Sequence, residues 1–226
     1  MSAEFSCFDI IGPVMVGPSS SHTAGACRLG RLARALADNT PVKVDIILHG
    51  SFAQTYKGHG TDLALIGGLL GMDTDDERIK DAEYYAKEAG LEYIIRTDDL
   101  GEDRHANTVK FIIINSYGDA FTMMGASLGG GKVMITEIND FPVEIDGNLP
   151  ALCNIHKDQP GAVYAISEVL LKYKINIASM RVYRREEKYT VAFMIIETDD
   201  LVPQEAMAEI EELSVIVDVK FIPPIV

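Results

Sequence analysis

Residues 17–26 read GPSSSHTAGA: three hydroxyls at Ser19, Ser20 and Ser21, an imidazole at His22 and a further hydroxyl at Thr23, set among small residues. A helical pattern begins within a few positions. One serine is expected to cap that helix by accepting a backbone N–H. The remaining hydroxyls and the free N–H groups of a helix start form a site suited to a carboxylate. His22 in such a place is a potential base, because the positive helix end favours neutral imidazole near pH 7.

A second histidine occurs in YKGHGTDLALIGGLL, where Gly58 and Gly60 flank His59. The glycines give access and backbone freedom but no packing reason for an imidazole. The alternative reading is a solvated loop histidine. Thr61 or Asp62 is expected to cap the next helix. His105 and Asn107, in DRHANTVKF, stand just before a strand, an edge where sites are built. His49, at another strand end, has no such company and reads as structural. Two imidazoles on Ser- and Gly-rich segments suit general acid–base work.

These residues need a scaffold. Leu29, Leu32, Ala33 and Leu36 follow helical spacing, so a helix is expected from Ser21 or Thr23 to Ala37. VKVDIILHG (42–50) reads as a buried strand, and residues 61–71 and 75–90 as helices, the second ending at a glycine cap. Strands follow at 92–96, 108–118, 120–129 and 132–140, with turns at YGD and LGGGK. Turn residues at 146–150 mark a boundary, placed between residues 148 and 149. Beyond it come strand 151–156, helix 161–173, strands 175–183 and 188–197 around RREEK, helix 203–213 and strand 215–222. That order is βαββαβ, the ferredoxin-like unit. The fold class expected is α+β.

Length and charge bound the function. The chain has 226 residues, enough for two domains, and carries a net charge of −14. Such a charge disfavours nucleic acid and anionic membrane surfaces. The first residues lack a basic n-region, and no apolar run approaches a membrane span, so a cytoplasmic location is expected. Cys7, Cys27 and Cys153 are far apart, so neither a disulfide framework nor a metal cluster held by this chain is expected. In DQPGAV, Pro160 suits a first helical turn and Gly161 allows close backbone approach.

Residues 150–226 resemble an ACT domain, and IHKDQPGAV with INIASM resembles the serine-binding ACT domain of phosphoglycerate dehydrogenase. That likeness implies an amino-acid effector held by His156, Asp158, Gly161 and Asn176, at a contact between two such domains. Asp158 is a carboxylate where an amide would be expected. GPVMVGPSSSHTAGA, GHGTDLALIGGLLG and HANTVKF resemble the β chains of bacterial iron–sulfur L-serine dehydratases, from about residue 5 to the end. This implies an N-terminal α/β domain like the allosteric substrate-binding domain of phosphoglycerate dehydrogenases. It also implies deamination of L-serine to pyruvate and ammonia with a separate α chain. That α chain would bind a 4Fe-4S cluster acting as a Lewis acid, and this chain would bind none. His22, His59 and His105 become the expected catalytic residues, and Ser20, Ser21, Thr23, Thr61 and Asn107 the substrate contacts. Self-association through the ACT domain is also expected. The rival reading is a non-catalytic amino-acid-sensing protein, which has no use for imidazoles on such segments.

Overall fold

The computed structural model describes residues 12–38, 40–184 and 190–225. The chain divides into two compact units, one ending at Asp146 and the other starting at Gly147. Cys7 and most of the RREEK hairpin lie outside the described residues.

In the first unit the expected opening helix is two elements. Ser20–Ala24 is a single π-helical turn, and α1 runs Gly25–Leu36 with Leu29, Leu32, Ala33 and Leu36 buried. The wider turn re-aims the side chains of Ser20–Thr23 relative to the core-facing stripe. Strand β1 (Pro41–Leu48) is followed by α2 (Gly50–His59), α3 (Thr61–Leu69), a 3₁₀ turn (Glu77–Asp81) and α4 (Ala82–Glu88). Thus 75–90 is not one helix: Asp76 accepts the Arg78 N–H and starts a tighter turn.

Strand β2 (Glu92–Thr97) pairs parallel to β1, which requires a crossover, and α2–α4 supply it. The rest is antiparallel: β3 (Thr108–Asn115), β4 (Ala120–Gly129), β5 (Lys132–Ile138) and β6 (Phe141–Ile145) complete a six-stranded sheet ordered β2-β1-β3-β4-β5-β6. β6 lies beyond the expected strands. Its Pro142 suits an edge strand, and Asn139 and Asp140 make the tight turn before it with φ of 49° and 62°.

Helices α1 and α3 touch backbone to backbone. A Cβ on Gly68 would lie 2.1 Å from the Cys27 carbonyl oxygen, and one on Gly30 would lie 2.4 Å from that of Leu65. No other residue permits this approach, which explains the IGG motif. Because α1 follows His22 and α3 follows His59, the crossing also fixes the spacing of the two histidines.

The second unit has β7 (Ala151–Lys157), α5 (Ala162–Lys172), β8 (Ile177–Tyr183), β9 (Val191–Thr198), α6 (Gln204–Glu211) and β10 (Ile216–Ile222). Its sheet is antiparallel in the order β10-β7-β9-β8, the βαββαβ arrangement. Leu152, Ile166, Leu170, Met194, Ile196, Ala206 and Ile210 form its core. Gly161, at φ 91°, is the N-cap of α5. Pro160 therefore precedes the helix and does not enter its first turn.

Candidate active site

Ser19 is the N-cap of the π turn, its hydroxyl accepting the His22 N–H at 3.1 Å. The turn lifts His22 towards α2, a helix where sequence periodicity gave only a loop. His59 is therefore the last residue of a helix and not a loop residue. Ser51, Thr55 and His59 recur at i, i+4 and i+8, so they share one helical face. His22 meets that face.

Its ring centroid is 5.0 Å from that of His59 and 5.1 Å from that of Phe52, which stands edge-on and is fully buried. His22 Nε2 lies 3.1 Å from Ser51 Oγ, and Nδ1 lies 3.0 Å from Ser21 Oγ. His59 Nδ1 is 3.4 Å from the Thr55 carbonyl, which can only accept. In the neutral ring the proton is therefore on Nδ1, and Nε2 carries the lone pair.

Burial, and then the nearby charge of His59, push the His22 pKa below its usual value, while Ser51 opposes them. Neutral imidazole is favoured, by desolvation and a second imidazole more than by a helix end. Ser51 is the site residue the sequence reading lacks. Its signal is the four-residue polar spacing to Thr55 and His59, hidden among glycines.

The other expected residues divide. Ser20 is half-buried beside Gly12. Thr23 is 2% exposed and its hydroxyl donates to the His59 carbonyl at 3.3 Å, so it joins the histidine segments and is not open to a ligand. Thr61 is fully buried with its hydroxyl unpaired. Neither it nor Asp62 is the cap of α3: Gly60 occupies that position at φ 65°. Asp62 accepts the Leu63 N–H and pairs with Lys57 at 3.1 Å, tying the end of α2 to α3.

His105 is exposed, and its Nδ1 accepts the Asn107 N–H. The Asn107 amide donates to the Ser127 carbonyl at 3.3 Å. This segment adjoins α2, because Ser51 N–H donates to the Ala106 carbonyl at 2.7 Å. His49 is structural, accepting the Leu100 N–H at 3.1 Å.

In the second unit His156 is buried and its Nδ1 lies 3.0 Å from Asn154 Oδ1. Asp158 pairs with Arg184 at 2.8 Å, which neutralises the carboxylate. Asn176 donates to Asp199. His156 pairs with Ala192 and Ile177 with Thr198, so Ile177, next to Asn176, sits six β9 residues, about 20 Å, from His156 along the strands within one protomer.

Among the described residues no cluster of three or more His, Cys, Asp or Glu side chains could hold a metal ion. Burial pushes the thiols of Cys27 and Cys153 up to about 12, the opposite of what a thiolate ligand needs. These residues do not fit an iron–sulfur cluster. No helix among the described residues is long and apolar enough to cross a membrane.

The family model described as "Serine dehydratase beta chain" matches residues 6–101, and that of the ACT domain matches 153–215. The probable L-serine dehydratase beta chain of Bacillus subtilis (strain 168) is 45% identical over 214 residues, covering 95% of this chain and 96% of that one. The L-serine dehydratase beta chain of Peptoniphilus asaccharolyticus is 40% identical, covering 87% and 88%. A D-3-phosphoglycerate dehydrogenase of Synechocystis sp. is 29% identical over 84% of this chain and 34% of its own length.

Proposed function

The chain belongs to the family of L-serine dehydratase beta chains, and from that premise we propose that it is the subunit supplying acid–base groups for deamination of L-serine to pyruvate and ammonia. The observation that carries this reading is the His22–His59 pair, 5.0 Å apart and faced by serine hydroxyls.

Deamination needs the Cα proton removed and the β-hydroxyl expelled. The resulting 2-aminoacrylate tautomerises to an imine that water hydrolyses. His22 is the base, since a neutral imidazole must receive the proton and its surroundings favour that form. His59 orients the substrate, its Nε2 lone pair accepting from the ammonium group. Ser20 and Ser51 are the hydroxyls suited to the substrate's polar groups. Asn107 and His105 line the adjoining segment and are weaker contacts. Phe52 walls the site and keeps the His22 ring from turning.

A 4Fe-4S cluster is assigned to the α chain, on the donor chemistry already described. The reading places the enzyme in the cytoplasm, where buried Cys27 and Cys153 remain reduced. The second unit is read as a regulatory module that pairs with its copy, because β10 and β8 leave unpaired strand edges. An amino-acid effector held by His156, Asp158, Gly161 and Asn176 would then draw on two protomers, since Asn176 stands far from His156 in one.

Reconstitution tests the assignment. The purified chain should be colourless, iron-free and inactive on L-serine, and activity should appear on anaerobic addition of the cysteine-bearing chain. An iron-loaded or active chain alone would overturn it.

A further inference from the structure

Ser19, Ser21, His22 and Ser51 form one continuous chain of hydrogen bonds. Ser51 Oγ meets His22 Nε2 at 3.1 Å, His22 Nδ1 meets Ser21 Oγ at 3.0 Å, and Ser21 Oγ meets Ser19 Oγ at 3.3 Å. Ser19 Oγ also accepts the His22 backbone N–H at 3.1 Å. The two ends differ. The Nε2 end faces Ser51, Phe52 and His59 on α2, and the Ser19 end leads to exposed Gly17 and Pro18.

Every link can be satisfied in either direction. In one, Ser51 donates to Nε2, Nδ1–H donates to Ser21, and Ser21 donates to Ser19. In the other, Ser19 donates to Ser21, Ser21 donates to Nδ1, and Nε2–H donates to Ser51. A proton entering at Nε2 and another leaving at Ser19 convert the first arrangement into the second. A hydroxyl that served only to bind substrate would not need this continuity.

We propose that Ser21 and Ser19 are a proton relay connecting the buried face of His22 to solvent. The inference rests on the reading of His22 as the base. In the forward step substrate displaces the Ser51 hydroxyl from Nε2. The Cα–H bond breaks, its electron pair stays on carbon, and the proton goes to Nε2. The proton on Nδ1 passes to Ser21 Oγ, the Ser21 hydroxyl proton passes to Ser19 Oγ, and the Ser19 proton passes to water. Imidazole ends neutral with its proton on Nε2. As the β-hydroxyl departs it takes that proton, and Nδ1 draws one back from water through Ser19 and Ser21. No charge is left on the ring between steps. Ser21 is thereby a relay residue and not the substrate contact expected from sequence.

The test uses the reconstituted two-chain enzyme with L-serine in mixtures of light and heavy water. Wild type should show a curved dependence of kcat on deuterium fraction, the signature of several protons in flight. Ser21→Ala should lower kcat roughly tenfold or more, a smaller loss than removal of the base itself, and give a linear dependence. Ser21→Thr should restore both. Ser19→Asn, which keeps an acceptor for the His22 N–H but carries no hydroxyl proton, should behave like Ser21→Ala. Wild-type kcat and curvature in Ser21→Ala, or a change confined to KM, would overturn the relay. Full activity of His22→Ala would instead sink the reading on which it rests.

Discussion

Thr23 Oγ1 donates to the carbonyl oxygen of His59 at 3.3 Å, so the residue next to one histidine in sequence holds the backbone of the other. Thr23 is 2% exposed, so its hydroxyl is committed to this bond and not to a ligand. Thr23→Val keeps the branched shape and removes the bond. It should cost about 1 kcal/mol of stability, the net worth of one hydrogen bond. It should lower kcat of the reconstituted enzyme roughly tenfold, because acid–base pairs tolerate little displacement. Steady-state kinetics beside urea denaturation separates the two effects. An unchanged kcat would show that the bond does not set the histidine spacing.

The α1–α3 crossing gives a prediction about folding. A methyl on Gly68 would lie 2.1 Å from the Cys27 carbonyl oxygen and 2.9 Å from Gly30 Cα, both backbone atoms. Gly68→Ala should therefore destabilise the first unit by about 1–3 kcal/mol, the usual cost of overpacking. Gly58, inside α2, meets nothing within 4 Å, so Gly58→Ala is the matched control and should be neutral or stabilising by up to about 1 kcal/mol. Chemical denaturation of both variants is the check.

Much of this was legible in the chain. The apolar stripe of α1, the Ser19–Ser21 cap and the βαββαβ order follow from spacing and turn residues. Helix α2 does not, because its regular spacing is polar, at Ser51, Thr55 and His59, and Gly50, Gly58 and Gly60 imitate a loop. Strand β6 alternates buried and exposed residues, but Pro142 argues against a strand until its edge position is known. The pairing of Thr23 with His59 and of Ser51 with His22 joins residues 36 and 29 apart, which only tertiary structure supplies. The Arg184 partner of Asp158 is hidden for the same reason.

Two histidines make stability depend on acid pH. Burial lowers the pKa of His22, with His59 adding to the shift, and burial lowers that of His156. A depressed pKa means that the unfolded chain binds a proton more readily than the folded one. This contribution is complete above the ordinary value of about 6.5 and is lost as pH falls through the folded values. Urea midpoints at several pH values should fall on acidification across that window. His156→Gln should flatten the fall in the second unit, and an unchanged slope would remove His156 as a cause.

The pairing of the second unit can be tested by truncation. A chain ending at residue 148 should stay folded, since the division lies at Asp146–Gly147, and should sediment as a smaller assembly than the full chain. Retention of the full-length assembly state would exclude this unit as the contact.

The central claim is that His22 and His59 serve chemistry. It is tested most directly by kcat of the reconstituted two-chain enzyme carrying His22→Ala or His59→Ala, with His49→Ala as control. Loss of the base should lower kcat about a hundredfold or more in the His22 variant, on the scale of general acid–base catalysis, and loss of the orienting imidazole should also lower it. Stability should stay within about 2 kcal/mol, since His22 and His59 are only half-buried. The control should keep its turnover. A folded His22→Ala enzyme turning over L-serine at the wild-type rate would contradict the account.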